Sequence, residues 1–261
     1  MKILLTNDDG IYAAGLEALY RELKKDFELV IVAPESERSA VGHAITLSRP
    51  LRVKSVRRND NFYGYAVSGT PADCVKIGVQ ELLEDPPDMV LSGINLGSNV
   101  GVNVLYSGTV SAATEGAFLG VKSAAISLDT RNNPDYRFAA RFTRELIGFV
   151  DTYGLSKGAA LNVNIPGVPP EMIRGVSISR QGRSRHLERF DRRVDPRGNV
   201  YYWLSGETPL EDGVFDADAT FLKNNRITIT PISYDLTCVE EIERLRAFPM
   251  PQYRDLDKGE N

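Results

Sequence analysis

Residues 88–128 read DMVLSGINLGSNVGVNVLYSGTVSAATEGAFLGVKSAAISL, and their reading decides the fold. Asp88 to Ile94 is a short, mainly apolar run that reads as a buried strand. Asn95 to Gly108 is rich in glycine and asparagine, the composition of a loop. Thr109 to Leu119 reads as a helix of small residues, and Val121 to Leu128 as a second buried strand. Strand, helix and strand at this spacing form one unit with parallel strands.

The alternation continues outward. Lys2-Ile3-Leu4-Leu5-Thr6 is an apolar run stopped by the turn formers Asn7-Asp8-Asp9-Gly10. Leu16, Leu19, Tyr20 and Leu23 recur at i, i+3, i+4 and i+7, the stripe of an amphipathic helix. Phe27 to Ala33 reads as a buried strand ended by Pro34, with a polar loop from Glu35 to Gly42. Leu51 to Val56 and Tyr63 to Val67 predict two more strands. Gly69-Thr70-Pro71 opens a helix, with Thr70 as N-cap, Pro71 in the first position, and Val75, Val79 and Leu82 on the buried face. Tyr136 to Val150 predicts a long helix. The class is α/β, a mainly parallel sheet with helices on both faces.

After Gly154 the pattern changes. Leu161 to Ile165, Val176 to Ser179, Val200 to Leu204 and Arg226 to Thr230 read as strands without regular helices between them. The polar stretch 180–218 reads as a hairpin-like extension. One domain over 1–261 is expected, with a core of 1–179 and 219–235, the extension, and a tail of 236–261.

Composition narrows the function classes. The 261 residues are 42% hydrophobic and 25% charged, which excludes global disorder. The longest apolar runs, Leu29 to Ala33 and Val200 to Leu204, fall well short of the ~18 residues of a membrane span. Ile3-Leu4-Leu5 is also too short for the apolar core of a signal peptide, so a cytoplasmic protein is expected. A net charge of −4 argues against a stable nucleic-acid complex. Cys74 and Cys238 form no CxxC and read as reduced, buried residues. With only His43 and His186 beside them, histidine-rich or zinc chemistry is excluded.

In open parallel sheets ligands bind beyond the carboxyl ends of the strands. Three such loops carry Asn7, Asp8 and Asp9; Ser36, Arg38, Ser39 and His43; and Asn95, Ser98 and Asn99. Their shared chemistry is hard oxygen, which suits Mg²⁺ or Mn²⁺. Asp8-Asp9-Gly10 also fits a plain turn, but a turn needs one Asp, and a second adjacent charge costs repulsion unless a cation compensates. Tyr106-Ser107-Gly108-Thr109 stands at a helix start, where free N–H groups and hydroxyls make an anion site; a simple N-cap is the competing reading. Gly93, Gly97 and Gly101 form neither GxGxxG nor a Walker A loop, which removes a nicotinamide-dependent oxidoreductase.

Other features divide between bland and functional readings. Arg180 to Arg197 holds seven arginines with His186 among them, a solvated or subunit-contacting loop or else an arm for a polyanion. Tyr201-Tyr202-Trp203 reads as strand packing, with base stacking the lesser alternative. His43 is a candidate for the acid that protonates a leaving alkoxide, and equally for a structural hydrogen bond.

Taken together, several ordered motifs resemble the SurE family, survival protein E, a group of metal-dependent 5′/3′-nucleotidases. They are Thr6-Asn7-Asp8-Asp9-Gly10-Ile11; Ala33-Pro34 with Ser39 and Gly42-His43-Ala44-Ile45-Thr46; Gly69-Thr70-Pro71-Ala72-Asp73-Cys74-Val75; Ser92-Gly93-Ile94-Asn95-Leu96-Gly97-Ser98-Asn99; Tyr106-Ser107-Gly108-Thr109-Val110; Asn162-Val163-Asn164-Ile165-Pro166; and Thr228-Ile229-Thr230-Pro231. The resemblance implies a Rossmann-like core, one divalent ion per subunit held by Asp8, Asp9, Ser39 and Asn95, and phosphate contacts from Ser107, Gly108 and Thr109, joined by Asn99. It also implies hydrolysis of nucleoside monophosphates, in some members of short polyphosphate, and a homodimer or homotetramer built with the hairpin and tail. Departures are Arg38 where glutamine is common, Ser111 where glycine is common, and Ala217 where threonine usually precedes the acid matched by Asp218.

The expected chemistry is hydrolysis by water, with Asp8 or Asp9 as the catalytic carboxylate. Adjacent carboxylates, rather than Asp-x-Asp spacing, disfavour an aspartyl-phosphate. The competing class is a nucleotide-binding regulatory module without turnover.

Overall fold

The computed structural model describes residues 1–130, 132–183, 185–210 and 213–249, with the backbone alone at 185–188 and 206–210. The strands are β1 (Lys2–Thr6), β2 (Glu28–Pro34), β3 (Val53–Arg58), β4 (Asn61–Val67), β5 (Met89–Leu96), β6 (Lys122–Asp129), β7 (Ala159–Pro166), β8 (Val176–Ile178), β9 (Arg185–Val194), β10 (Val200–Leu210) and β11 (Ile227–Ser233). The helices are α1 (Ala14–Leu23), α2 (Pro71–Ile77), α3 (Gly108–Phe118), α4 (Arg137–Tyr153), α5 (Asp218–Lys223) and α6 (Val239–Arg246).

Nine strands form one sheet in the order β3-β4-β2-β1-β5-β6-β7-β11-β8. From β4 to β7 every pairing is parallel, with registers such as Leu4 opposite Val30 and Val90. Antiparallel pairings flank this block at β3–β4 and β7–β11. The chain leaves β1 toward β2 on one side and later returns to place β5 on the other. The crevice beyond the carboxyl ends of β1 and β5 is therefore the point where strand order reverses, the general ligand position of such sheets.

Strand alternation explains the two layers. Ile3, Leu5, Ile31 and Leu91 pack on one face with Leu16 and Leu19 of α1 and Leu146 and Ile147 of α4. Leu4, Val32 and Val90 point to the opposite face, where Cys74 and Val75 of α2 and Ala112 of α3 cover them. A period of two on strands covered on both sides yields continuous apolar runs, as in the sequence. Helix α3 lies close to the sheet because its residues are small. A Cβ on Gly116 would sit 2.4 Å from Ser123 Oγ and 3.0 Å from Val90 Cγ2. Helix α2 starts with the predicted Thr70 cap and Pro71, and Asp73 completes a capping box, an arrangement worth about 1 kcal/mol.

Several expectations are corrected. A short helix, α5, precedes β11, and the tail carries α6, whose apolar Val239, Ile242 and Leu245 are exposed. Sequence periodicity misses both because each is short and neither has an apolar stripe sunk in the core. Helix α2 stops at Ile77 and one π turn, Gly78–Leu82, carries Val79 and Leu82, which are only partly buried. Cys74 is buried, but Cys238 is exposed, just ahead of α6. Strands β9 and β10 form a separate antiparallel ribbon, so within the expected extension a hairpin is present at 185–210. Tyr201, Tyr202 and Trp203 belong to that ribbon and stay exposed, because no second layer covers it among the described residues. The His186 side chain lies outside what the structure describes.

Candidate active site

The loop after β1 is fixed by its own residues. Asn7 Nδ2 donates to Gly10 O at 3.0 Å and Asn7 Oδ1 accepts from Gly10 N at 3.2 Å. Gly10 has φ +99°, a conformation that side chains rarely adopt. The turn sends Asp8 inward, where it is 5% exposed. Asp8 Oδ1 accepts from Thr109 Oγ1 in a very short contact, and the Gly108 and Thr109 backbone N–H groups also face its carboxylate. A Cβ on Gly108 would lie 2.7 Å from Asp8 Cβ, so glycine is what allows α3 to end on this carboxylate. The helix start therefore acts as an anion site, with Asp8 as its present anion.

Burial outweighs those hydrogen bonds and leaves the Asp8 carboxyl above its ordinary range. Asp9 is only part-buried. Its carboxyl is pushed up to about 6, first by burial and then by the charges of Asp8 and Glu37, against one hydrogen bond from the Leu96 backbone. Among the described residues neither carboxylate has a Lys, Arg or His ion pair.

The loop after β2 runs beside this pair. Arg38 N donates to Asp8 O at 2.7 Å, and Arg38 Nη2 to Ser68 O at 3.2 Å. Ser39 is exposed and its Oγ donates to Glu37 Oε1 at 2.6 Å. Further on, His43 Nε2 lies 2.7 Å from Glu115 Oε2, so a structural hydrogen bond is what His43 makes here. Lys76 Nζ lies 2.6 Å from Glu115 Oε1. Burial opposes charge on Glu115, but His43 and Lys76 more than offset it and hold the carboxyl below its usual range.

The third loop leaves β5 through a bulge. Ser92 pairs with Ala125 but Asn95 with Ser127, so three steps on β5 match two on β6. The extra residue interrupts the pairing just ahead of Asn95. Asn95 Nδ2 donates to Gly97 O at 2.8 Å, which leaves Oδ1 as an acceptor for a cation or a donor. Asn99 is buried in an amide network: its N donates to Asn164 Oδ1 at 2.7 Å, its Nδ2 to Ser127 Oγ at 2.8 Å, and its O accepts from Asn162 Nδ2 at 2.7 Å. Ser107 Oγ caps α3 by accepting from Val110 N at 3.1 Å.

The structure thus brings Asp8, Asp9, Gly108 and Thr109 into direct relation, with Asn95 one residue from the Leu96 N–H that faces Asp9. Ser39 stands in the adjacent loop with its hydroxyl turned to Glu37. The donor chemistry fits a hard divalent cation. Two carboxylates beside each other, with no cationic side chain paired to them among the described residues, are oxygen donors whose mutual repulsion a cation would relieve.

Sequence reading misses Glu37 and Glu115, and it notes Asn162, Asn164 and Asp218 only as motif positions without a role. Glu37 raises Asp9 and takes the Ser39 hydroxyl. Glu115 is the one acid in a helix of small residues, an oddity that is a usable signal. Asn162 and Asn164 share one face of β7, as alternation on a strand requires. Asp218, totally buried, accepts from Gly101 N and Gly182 N, both at 3.0 Å, and ties the glycine loop to the start of the extension.

Comparison with known proteins gives the family. The family model described as survival protein SurE matches residues 3–188. A protein of Syntrophus aciditrophicus named 5′-nucleotidase SurE is 59% identical over 248 residues, covering 95% of this chain and 93% of its own length. A protein of the same name from Syntrophobacter fumaroxidans is 54% identical over 245 residues, covering 94% of this chain and 98% of its own length. The crystal structure of the SurE protein from Aquifex aeolicus superimposes with a TM-score of 0.82 at 37% identity, over 95% of this chain and 99% of that one. A family match across most of the chain and relatives above half identity establish that the chain belongs to the SurE family.

Proposed function

We propose that this chain is a divalent-metal-dependent nucleotidase that hydrolyses nucleoside 5′- and 3′-monophosphates to nucleoside and phosphate, with short polyphosphate as a secondary substrate. The observation that carries the reading is the Asp8–Asp9 pair, set at the strand-order reversal against the N-terminus of α3. Relatives named 5′-nucleotidase support turnover over the regulatory module that only binds.

In this reading Asp8, Asp9, Ser39 and Asn95 hold one Mg²⁺ or Mn²⁺ per subunit. When bound, the ion supplies Lewis-acid neutralisation of phosphoryl charge and activation of water at neutral pH. Asp8 is locked by Thr109 and serves to hold. Asp9 is the more open carboxylate, fixed by a single N–H, and is the group placed to orient the attacking water and take its proton. Gly108 and Thr109 give their N–H groups to Asp8, so in this reading the phosphate meets the helix start beside them through the Ser107 hydroxyl, which accepts from Val110 N and keeps its own hydrogen to donate. Asn99 spends one amide hydrogen on Ser127 and has a second for a phosphoryl oxygen.

The organisation that goes with this reading is one domain, with the 180–218 ribbon and the tail assembling a homodimer or homotetramer in the cytoplasm. Among the described residues no helix is long and apolar enough to cross a membrane.

The test is phosphate release from AMP, 3′-AMP, 4-nitrophenyl phosphate and tripolyphosphate, each with EDTA, Mg²⁺ or Mn²⁺. Release from the mononucleotides only with metal is expected. Release that persists in EDTA would overturn the metal assignment. Binding of AMP with no release under any metal would overturn the hydrolase in favour of the binding module.

A further inference from the structure

The segment from Glu35 to Arg52 joins β2 to β3 without a strand or helix of its own. Ordering so long a loop costs conformational entropy, and its position is set by whatever it is anchored to. At its ends Glu35 N donates to Val67 O at 2.8 Å and Arg52 N to Ser68 Oγ at 2.9 Å, and within it Arg38 Nη2 donates to Ser68 O at 3.2 Å. Arg38 N donates to Asp8 O, Gly42 N donates to Tyr106 O at 3.0 Å, and Thr46 N donates to the buried Asp73 carboxylate at 3.1 Å. Ala44 O accepts from Thr70 Oγ1 at 2.7 Å. Between Gly42 and Ala44 the one side-chain anchor is His43, whose ring meets Glu115.

Glu115 is 4% exposed, in the middle of α3. A buried carboxylate needs partners for both oxygens, and Lys76 supplies one. The other faces out of the helix layer toward His43, whose side chain is 38% exposed. The same helix begins at Gly108 and Thr109, the groups that hold Asp8. Helix α3 is thereby the common reference for the two loops that bear the carboxylates and Ser39.

We infer that Glu115 and His43 form a positioning pair that holds the Ser39 loop at its working distance from Asp8 and Asp9, so that the pair sets divalent-cation affinity without touching the cation or the substrate. The inference rests on Ser39 belonging to the cation site. It gives His43 a role through Ser39 rather than as an acid toward the leaving group.

His43→Ala is the decisive variant, because an exposed ring leaves no cavity in the core and the Glu115–Lys76 pair survives. Hydrogen–deuterium exchange on the metal-free protein is expected to show at least tenfold faster exchange across residues 39–46, with the strands unchanged. Calorimetric titration with Mn²⁺ alone is expected to give about tenfold weaker binding, while kcat at saturating Mn²⁺ stays within threefold. His43→Gln, which keeps an amide donor toward Glu115, is expected to recover most of both effects. Unchanged exchange at 39–46, or Mn²⁺ affinity equal to wild type, would overturn the inference, and so would a lowered Tm with unaltered Mn²⁺ affinity. Asp9→Asn separates this from failure of the site itself. If that variant keeps wild-type Mn²⁺ binding, the cation site is misassigned, whereas the exchange result on metal-free His43→Ala still decides whether the pair orders the loop.

Discussion

The carboxyl edge of β1 and β5 and the β9–β10 ribbon are opposite solutions to the same chain's needs. At the edge polar side chains are buried and held by named partners: Asp8 by Thr109, Asn99 by Ser127, Asn164 by the Asn99 backbone, Glu115 by His43 and Lys76. On the ribbon the reverse holds. Phe190 is 69% and Trp203 57% exposed, with Tyr202 and Leu204 exposed beside them. A two-stranded ribbon cannot bury its own apolar side chains and is marginal alone. The contrast teaches that the core satisfies its polar side chains from within the sheet and helices, while the ribbon leaves large apolar side chains exposed; the proposed assembly would cover them with a second copy of the chain.

The comparison breaks most easily at the carboxylates. Asp8→Asn and Asp9→Asn should each lower metal-dependent phosphate release from AMP by about 10³-fold or more, while circular dichroism shows an unaltered fold. Retention of a tenth of the activity in either would mean that the edge is not the reacting centre. Gly108→Ala attacks the same point through sterics. Its Cβ would meet Asp8 Cβ at 2.7 Å, so a stability loss of about 1–3 kcal/mol by urea denaturation, with activity down about 10²-fold, is expected.

On the ribbon, if the proposed assembly uses it, Phe190→Asp with Trp203→Asp should give a monomer in light scattering where the wild type gives a dimer or tetramer, and leave the core's unfolding transition in place. An unchanged mass would remove the ribbon from the interface.

A smaller effect comes from pH. The fold pushes the Asp9 carboxyl up to about 6 from 3.8 for an unperturbed Asp, through burial and the charges of Asp8 and Glu37. An acid raised on folding favours the fold while protonated, so its contribution is complete below about pH 4 and lost as pH rises through about 6. A cation relieves the charged form. The rise in Tm given by Mn²⁺ should therefore grow between pH 5 and pH 7.5; a rise that shrinks over that interval would contradict the account. Least demanding is the thiol count. A thiol reagent should label Cys238 rapidly and buried Cys74 only on unfolding.

Much of this was legible in the sequence, and the boundary has physical causes. Apolar runs such as Leu29 to Ala33 announce doubly covered strands, and Thr70-Pro71 announces a capped helix, because both signals are local. Asp8-Asp9 could be read as cation ligands because adjacent charges on a turn need a reason. The partner of His43 could not be read, since Glu115 lies 72 positions away and only the packing of α3 brings them together. For the same reason Asp8, rather than an external anion, as the occupant of the α3 N-terminus emerges only from the close approach at Gly108. Helix α5 escapes because its six residues are too few for periodicity to show.

The central claim is that Asp8 and Asp9 form one divalent-cation site per chain. Its most direct test is calorimetric titration of metal-free protein with Mn²⁺, wild type beside Asp9→Asn. The account predicts binding of about one ion per wild-type chain and its loss in the variant. Equal binding by both proteins, or none by a wild-type protein that still hydrolyses AMP in EDTA, would contradict it.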